Sequence, residues 1–315
     1  MQGCPKNVVQ YSLVNFTRQA GRKLLTKYCF WCFHPVLKYA EVTLPYLKYG
    51  AEVNALVTQS AASIASIRFS AHYYRMIQDH RPYYIKRFLH HFERWYTDHF
   101  ISPQLEELGP DHCMMKPWNV KVHGKHIRIK NSVHIVTTPD RKVSLSTWSF
   151  DEHQGHINLG DNVLLCPGVR LDSASTINVG DNCMFAAGSY VTDADWHDIY
   201  DRSRPVGKTK PITLAENVWV GDGAIVCKGV TIGKNSVIGA GSVVATDIPE
   251  NSIAAGNPAK VVKQLDPERE LVTRSKIFDD VQKLDKDMDE IDRMMLQPNS
   301  FIGWIRSKIA PRRGD

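Results

Sequence analysis

Residues 214–245 read LAENVWVGDGAIVCKGVTIGKNSVIGAGSVVA, and an aliphatic residue recurs there at every sixth position. A small residue, alanine, glycine or cysteine, follows each of them. A period of six fits neither the alternation of an ordinary strand nor the period of a helix, which is about 3.6, so it indicates a repeat whose unit is one side of a coil. Each coil then buries its apolar face against its neighbours. The repeating positions are Leu214, Val220, Val226, Ile232, Ile238 and Val244.

The same period occurs upstream of this stretch. It runs through Leu159, Leu165 and Leu171, and it resumes after a spacing of eight. A two-residue insertion between two sides of the coil explains the slip. Together the two runs predict a mainly β fold in which short strands stack into a parallel β-helix. After the slip the period continues at Val179, Phe185 and Val191.

The segments on either side of the repeat differ from it in composition. The N-terminal part contains long helix-compatible stretches broken by prolines, and the part after Leu265 is rich in both charges. We therefore predict three parts. They are an N-terminal helical region over residues 1–112, a β-helix domain over 113–264 and a C-terminal helical tail over 265–315.

Composition restricts the classes of possible function but does not identify one. The chain has 315 residues, 43% of them hydrophobic, a formal net charge of +6 and a pI near 8.8. This excludes a disordered chain and suits anionic partners such as coenzyme phosphates, while no motif points to nucleic acid. The seven cysteines form no regular framework, which is typical of a reducing compartment, so we expect a cytoplasmic protein. The pair Cys29 and Cys32 lacks a second CxxC and enters no predicted site.

Two segments combine basic and aromatic residues. Residues 1–40 hold six lysines and arginines and no acidic residue, and residues 300–313 mix aromatic and aliphatic side chains with four basic ones. No run of 18 apolar residues is present, so a spanning helix is not expected. Peripheral contact with the inner membrane surface and packing on the protein itself both stay open for the two segments.

The six-residue period fails between Val191 and Leu214, and a long loop in a regular solenoid is typically functional. Near the start of the loop lies His197, the only histidine after His156. An imidazole with a pKa near neutrality can accept the proton of a hydroxyl that attacks a thioester. A neighbouring carboxylate, for which we favour Asp195, would orient the ring. The loop also contains Asp193, Asp198, Trp196 and Arg202, of which Asp193, Trp196 and Arg202 are candidate substrate contacts.

Residues 159–263 resemble the maltose, galactoside and colanic-acid O-acetyltransferases of the hexapeptide superfamily. The resemblance covers about a third of the chain. It is clearest in PITLAENVWVG at 211–221, IGAGSVV at 238–244 and IPENSIAAGNPAKVVK at 248–263. It implies a left-handed β-helix, a homotrimer with active sites between adjacent subunits, and acetyl-CoA or another acyl-CoA as co-substrate with no permanently bound cofactor or metal. The acceptor implied is a sugar, as in a cell-envelope polysaccharide.

The resemblance also assigns residues. His197 falls at the position of the catalytic base, and Asp172 lies near the acceptor-binding carboxylate. Where the galactoside enzymes have an asparagine upstream of the histidine, this chain has Cys166-Pro167-Gly168, which puts the acceptor in doubt. By the same resemblance His197 and Trp219 need not line a given site from one subunit. The implied coenzyme contacts are Trp219, Asp222, Ala240, Ala245, Thr246, Lys260 and Lys263.

Several alternatives stay open at this point. A γ-type carbonic anhydrase shares the fold, but zinc needs three grouped ligands, and a single histidine after His156 argues against it. A serine-acetyltransferase-like enzyme would explain the N-terminal helical region, and a mildly basic chain would suit a donor held on an acyl carrier protein. A non-catalytic scaffold is opposed only by His197 and the coenzyme-like positions.

Overall fold

The computed structural model describes residues 79–150, 153–312 and 315. The basic segment 1–40, the pair Cys29 and Cys32 and most of the predicted N-terminal helical region lie outside the described residues. In the described part the N-terminal region contributes one α-helix, α1 (Tyr83–Tyr96), followed by a π-helical turn at Thr97–Ile101. The C-terminal tail contains α2 (Val281–Leu296) and α3 (Phe301–Ile309).

Between these helices the chain forms a parallel β-helix of three sheets, which we name A, B and C. Within each sheet every strand pairs with its equivalent in the next coil, and the repeating positions lie side by side, as in Val220 beside Ile238. Sheet A consists of β1 (Glu107–Leu108), β4 (Ile127–Ile129), β9 (His156–Leu159), β12 (Thr176–Val179), β15 (Ile212–Leu214) and β18 (Thr231–Ile232).

Sheet B consists of β2 (Cys113–Met115), β5 (His134–Val136), β10 (Leu164–Leu165), β13 (Met184–Phe185), β16 (Trp219–Val220), β19 (Val237–Ile238), β21 (Ser252–Gly256) and β22 (Ala259–Gln264). Sheet C consists of β3 (Val120–His123), β6 (Val143–Thr147), β11 (Arg170–Ser173), β14 (Tyr190–Thr192), β17 (Ile225–Val226) and β20 (Val243–Val244). A separate two-stranded antiparallel ribbon joins β7 (Ser149–Phe150) to β8 (His153–Gln154). The chain visits the three sheets in the order A, B, C and then returns to A in the next coil.

The core is the column of aliphatic side chains inside the coil. All twelve repeating positions predicted from the sequence are buried, with at most 4% of the side chain exposed. Each buried aliphatic side chain stabilises the fold by about 1.5–3 kcal/mol, because it leaves water. The predicted parallel β-helix is thereby confirmed.

The coil starts earlier than the predicted domain boundary at residue 113. Strand β1 pairs with β4 in sheet A, so the first coil begins at Glu107. The first coil buries Met114, and the second buries Ile129, Ile135 and Leu145 in the same column. At the other end, β21 and β22 form an antiparallel hairpin, and this change of direction ends the parallel stacking.

The corner between sheets A and B is built from residues in the left-handed backbone region. A residue with φ between 54° and 62° stands there in each coil, and asparagine tolerates this conformation better than other non-glycine residues. The asparagine side chains also bond from coil to coil: Asn217 donates to Asn235 at 3.0 Å, and Asn235 donates to Asn251 at 2.8 Å. The stacked positions are Asp111, Ser132, Asn162, Asn182, Asn217, Asn235 and Asn251.

The tail returns along the outside of the coil. Residues 266–280, which we call the strap, lie against the A–B corner, where Arg274 Nε donates to the carbonyl of Asn162 at 2.7 Å. Phe278 packs edge-on against His134 of sheet B, with 5.0 Å between ring centroids. Helix α2 then contacts α1, and the Tyr83 hydroxyl donates to Asp289 at 2.5 Å. No helix in the described part is long and apolar enough to span a bilayer.

Candidate active site

The loop that interrupts the repeat leaves at the corner between sheets C and A, after β14. Its two limbs pair with each other: Asp195 N donates to the Lys208 carbonyl at 3.0 Å, and Gly207 N donates to the Asp195 carbonyl at 2.7 Å. Gly207 sits against the backbone of His197, where a Cβ atom would lie 2.6 Å from the His197 carbonyl oxygen. The loop is therefore a closed excursion whose tip carries His197.

Asp193 anchors the start of the loop. Its carboxylate is fully buried and accepts bonds from Ser173 Oγ at 2.6 Å and from the backbone amides of Ala174 and Ser175 at 2.7 and 3.0 Å. Burial raises the pKa of this carboxyl group, and the three donors partly offset that rise. Ala174 and Ser175 lie within the two-residue slip of the repeat. Asp193 thus links the two-residue insertion to the start of the loop. Its carboxylate faces the protein interior rather than a substrate.

Asp195 lies beneath the loop tip and forms an ion pair with Lys228, which belongs to the C–A corner of the following coil. Lys228 Nζ contacts one carboxylate oxygen, Oδ1. Among the described residues, the imidazole of His197 has no hydrogen bond to Asp195 or to any other side chain. The predicted orienting contact between Asp195 and His197 is absent from this conformation, and the role stays a prediction.

His197 is exposed and lines an open depression of about 550 Å³ together with Asp198, Ile199 and Arg202. The carboxylate of Asp198 accepts the backbone amides of Tyr200 and Asp201, both at 2.9 Å, and these bonds lower its pKa. The depression consequently combines an imidazole, a carboxylate and a guanidinium group at the loop tip.

An aromatic wall stands next to His197, on the side where the chain leaves sheet C. Trp196 Nε1 donates to Thr192 Oγ1 at 3.0 Å and lies 3.2 Å from the Tyr190 hydroxyl. The Trp196 ring meets Trp148, with 6.0 Å between centroids, and Trp148 in turn lies 4.7 Å from the ring of His123. Trp148 is 46% exposed. The wall therefore offers a broad apolar surface with polar edges.

A charged network lies on sheet C next to the wall. Asp172 is buried, accepts Ser146 Oγ at 2.5 Å and forms an ion pair with Arg170. Arg170 also lies over the ring of Tyr190, 4.5 Å from its centroid. Because Asp172 is covered and Arg170 is half exposed, the guanidinium is the group that this network presents to solvent.

The predicted coenzyme contacts occupy other parts of the coil. Trp219 is 47% exposed on sheet B. Its register partners in the following strands, toward the C-terminal end of the β-helix, are Val237, Ile253 and Lys263. Asp222 and Ala240 lie in successive turns between sheets B and C, where Gly241 N donates to the Asp222 carbonyl at 2.7 Å. Lys260, also on β22, is exposed beside Ala255. Ala245 and Thr246 lie at the C–A corner, in the turn that follows β20.

One chain therefore divides the predicted residues between two edges of the triangular prism. The C–A edge carries Asp172, the loop residues and Ala245 with Thr246. Sheet B and its corner with C carry the other coenzyme candidates, so sheet C separates His197 from Trp219. Within the part of the chain that the structure describes, no three His, Cys, Asp or Glu side chains cluster as metal ligands.

Sequence reasoning missed four residues of this region: Trp148, Arg170, Tyr190 and Lys228. Trp148 follows β6, beside an insertion that hides the repeat. Arg170 and Tyr190 are register partners in sheet C, so each could have been found from the other by moving one coil along the repeat. No pattern in the sequence identifies Lys228, because its contact with Asp195 depends on the path of the loop.

Comparison with known proteins places these features in a family. The sequence model described as "Bacterial transferase hexapeptide (six repeats)" matches residues 211–246, and "Hexapeptide repeat of succinyl-transferase" matches residues 176–193. A Staphylococcus aureus (strain MRSA252) protein, named as an acetyltransferase, is 34% identical over 194 residues, which cover 56% of this chain and 89% of the relative. The chain belongs to the hexapeptide-repeat acyltransferases.

Other members of the superfamily match over less of their length. The galactoside O-acetyltransferase of Escherichia coli (strain K12) is 36% identical over 118 residues, which cover 37% of this chain and 58% of the relative. Across six of the curated relatives, this one included, the match spans 29% to 67% of the relative's length. Among solved structures, a maltose O-acetyltransferase from Clostridium difficile 630 shares 26% identity over 58% of this chain and 85% of that one, with a TM-score of 0.31.

Proposed function

We propose that this hexapeptide-repeat protein is an O-acyltransferase that moves an acetyl group from acetyl-CoA to a hydroxyl of a sugar or glycan-like acceptor. The position of His197 carries the proposal: an exposed imidazole at the tip of a closed loop, beside an aromatic wall, at the one long break in the repeat. The names of the relatives, which include a galactoside and a polysialic acid O-acetyltransferase, support the class of reaction and of acceptor.

In the proposed reaction His197 acts as a general base. The acceptor hydroxyl gives its proton to the free imidazole nitrogen while its oxygen forms a bond to the thioester carbonyl carbon. The tetrahedral intermediate then breaks the carbon–sulfur bond, and the imidazolium returns the proton to the departing thiolate. The products are the acetyl ester and coenzyme A with a free thiol. Backbone amides of the coil would stabilise the developing oxyanion.

We assign the orientation of His197 to Asp195. Lys228 contacts only Oδ1 of this carboxylate, so Oδ2 remains able to accept a bond from the imidazole. The proposal requires that the loop change conformation when substrate is bound, so that the two groups meet.

The acceptor is proposed to lie against the aromatic wall. Trp148 and Trp196 provide flat apolar surface of the kind that packs against the carbon faces of a sugar ring, and their edges carry polar atoms. Arg170 would donate to acceptor oxygens, and the buried Asp172 would hold Arg170 in place. Asp172 is then a positioning residue for the acceptor rather than a direct contact.

The donor is proposed to lie between subunits of a homotrimer. The row of Trp219, Val237, Ile253 and Lys263 would line the pantetheine arm, with Lys260 and Lys263 near the coenzyme phosphates. Since His197 lies on a different edge of the same chain, the loop of one subunit would meet this row on its neighbour.

The test combines a donor and acceptor screen with one substitution. Purified protein is incubated with acetyl-CoA and a panel of sugars and glycans, and transfer is read by thiol release and by mass increase of the acceptor. We expect transfer to a carbohydrate, with a loss of about 10²- to 10⁴-fold in His197→Ala. His156→Gln, a change of the partly exposed imidazole on sheet A, is the matched control and keeps its activity.

Adding serine to the acceptors and an acylated carrier protein to the donors lets the same screen separate the alternatives. Transfer to serine would indicate a serine-acetyltransferase-like enzyme, and transfer only from an acylated carrier protein would indicate a different donor. Full transfer by His197→Ala would remove the proposed mechanism while leaving the fold intact. Binding of acetyl-CoA with no transfer to any acceptor would favour a non-catalytic scaffold.

A further inference from the structure

Helix α1 carries an exposed aromatic surface that the proposed reaction does not use. Large apolar side chains rarely form a continuous exposed patch on a soluble protein unless the patch binds something. Here six aromatic side chains between 37% and 64% exposed run along the helix and onto the first coil. We call them the aromatic face: Tyr84, Phe88, Phe92, Trp95, Phe100 and Trp118.

The aromatic face is continuous. Tyr84, Phe88, Phe92 and Trp95 follow the spacing of one side of a helix. Ring centroids of Phe92 and Trp95 lie 5.5 Å apart, and those of Phe92 and Trp118 lie 6.2 Å apart. Trp95 also meets the edge of Phe100 at 5.7 Å. The helix of 14 residues is about 21 Å long at 1.5 Å per residue, so the side chains from Tyr84 to Trp95 extend over most of that length.

The charges around the aromatic face are mainly basic, although the exposed acidic residue Asp98 lies between Trp95 and Phe100 in the sequence and 3.4 Å from His112. Arg87 and Arg94 are exposed on α1, together with the imidazoles of His90 and His91. The one acidic residue of the helix, Glu93, accepts the backbone amide of Lys116 at 3.0 Å and is held against the protein. The helix thus presents aromatic and basic groups to solvent and keeps its carboxylate away from the surface.

A second amphipathic helix lies close to the start of α1. Asn299 Nδ2 donates to the carbonyl of Arg81 at 3.0 Å, and His80 lies 3.4 Å from Asp315. Helix α3, between these contacts, leaves Phe301, Ile302 and Ile309 exposed. Helix α3 belongs to the mixed basic and apolar segment 300–313, for which membrane contact and packing on the protein both stayed open. It therefore lies next to a larger surface of the same kind.

We propose that the aromatic face binds the surface of a membrane that contains anionic phospholipid. Tryptophan and tyrosine place an apolar ring with a polar edge at the boundary between headgroups and acyl chains, and arginine side chains pair with lipid phosphates. The mixture of aromatic and basic groups fits this partner better than an apolar protein surface, which would leave Arg87 and Arg94 without counter-charges. The binding is independent of catalysis and would hold the active site near acceptors attached to lipid.

The primary experiment is flotation of the full chain with vesicles. One set consists of phosphatidylcholine alone, and the other of equal parts phosphatidylcholine and phosphatidylglycerol. We expect binding to the mixed vesicles, weakened by added salt, and little binding to phosphatidylcholine alone. Phe88→Gln/Trp95→Gln should lower the partition coefficient at least about tenfold, since two exposed rings leave the lipid boundary.

The matched control changes two other exposed apolar residues. Leu271→Gln/Val272→Gln alters side chains 48% and 68% exposed in the strap and should bind vesicles as the wild type does. Thermal unfolding midpoints equal to that of the wild type would show that both variants fold. Equal flotation of the Phe88/Trp95 variant and the wild type overturns the proposal, as does absence of wild-type binding to the mixed vesicles.

Hydroxyl-radical footprinting distinguishes other occupants of the aromatic face. We expect Tyr84, Phe88 and Trp95 to be reactive in the free full chain and protected once anionic vesicles are added. Protection without vesicles would mean that the face is covered by another part of this chain or by a second copy, and it would overturn the proposal. A fall in oligomer mass in Phe88→Gln/Trp95→Gln would identify the second copy as the occupant.

Discussion

The carboxylate of Asp195, in the loop that interrupts the repeat, pairs with the amine of Lys228, 33 residues further along the chain, in the next coil. This pair joins the loop to the rigid part of the β-helix on the side of the coils that follow it. Beyond Asp193 the backbone of the outgoing limb pairs with the returning limb, as Asp195 does with Gly207 and Lys208, so side-chain contacts such as this one help to set the position of the loop tip. Lys228 is consequently expected to influence catalysis without touching substrate.

Replacing Lys228 tests this role. Both side chains are about 30% exposed, and a pair of this exposure contributes about 1 kcal/mol at most. We expect Lys228→Met to lower kcat about threefold to tenfold while the KM for acetyl-CoA changes little, because the loop tip would populate other positions. Lys228→Arg should retain most of the activity. An unchanged kcat in Lys228→Met would show that the pair does not position His197.

Trp148 provides the second prediction. If the acceptor packs on the aromatic wall, Trp148→Ala removes about half of that surface and should raise the KM for the acceptor about tenfold, with the KM for acetyl-CoA unchanged. Trp148→Phe keeps a ring and should recover most of the loss. Steady-state kinetics with each substrate varied in turn measures both constants. An equal rise in both KM values would point to a general disturbance of the site.

Much of the fold was predictable because a period of six has one structural solution in which every repeat is buried. The twelve predicted positions all lie in the core. The predicted β-helix domain, 113–264, included most of the first two coils, but their repeat positions were not identified, for a physical reason: in the second coil Ile129 and Ile135 keep the spacing, but the turn between β5 and β6 places Leu145 ten residues later. Insertions at corners destabilise the coil little, because they lie outside the stacked strands. They nevertheless interrupt the six-residue spacing by which the repeat is recognised in the sequence.

The site was less predictable than the fold. His197 could be singled out because it lies where the repeat breaks. The partners of the loop carboxylates could not, since burial of Asp193 and the ion pair of Asp195 depend on how the loop folds back over neighbouring coils. Arg170 was overlooked for a different reason: a charged residue on a strand surface is ordinarily solvated, and only its contacts with the buried Asp172 and the ring of Tyr190 distinguish this one.

The division of residues between two edges of the prism gives a third prediction. If His197 of one subunit works with Trp219 of its neighbour, two inactive variants should complement each other. Co-expression of His197→Ala with Trp219→Ala in equal amounts would create intact sites at a frequency of one half times one half, so about a quarter of wild-type activity is expected in mixed trimers. Activity equal to the sum of the two separate variants would place both residues in one subunit's site.

The asparagine corner gives a prediction about stability. Asn217 has φ 59° and donates to Asn235, so Asn217→Ala would lose a hydrogen bond and place a residue with Cβ in an unfavourable region. The backbone cost arises because alanine tolerates this left-handed conformation less well than asparagine does, and together the two effects should lower the free energy of unfolding by about 2 kcal/mol. Asn217→Gly loses the bond but not the backbone compatibility, and about half of the destabilisation is expected. Urea unfolding followed by circular dichroism measures both, and equal effects of the two changes would show that the backbone angle contributes nothing.

The strap gives the prediction about pH. Burial lowers the pKa of His134 to about 4, with a smaller contribution from the charge of Arg274, whereas the unfolded chain keeps a pKa near 6.5. The unfolded state therefore binds more protons between these values, and the stability of the folded state falls as the pH drops from 6.5 towards 4. The loss is of the order of 3 kcal/mol, from about 1.4 kcal/mol per unit of pKa.

His134→Phe should reduce the dependence of folding stability on pH between 6.5 and 4. Phenylalanine keeps an aromatic contact with Phe278 and has no proton to bind, so its unfolding free energy should change less between pH 6.5 and 4 than that of the wild type. Hydrogen exchange in the strap, residues 266–280, should quicken in the wild type over the same interval because a protonated His134 repels Arg274. Parallel stability curves for the two proteins would show that another group controls the acid sensitivity of this surface.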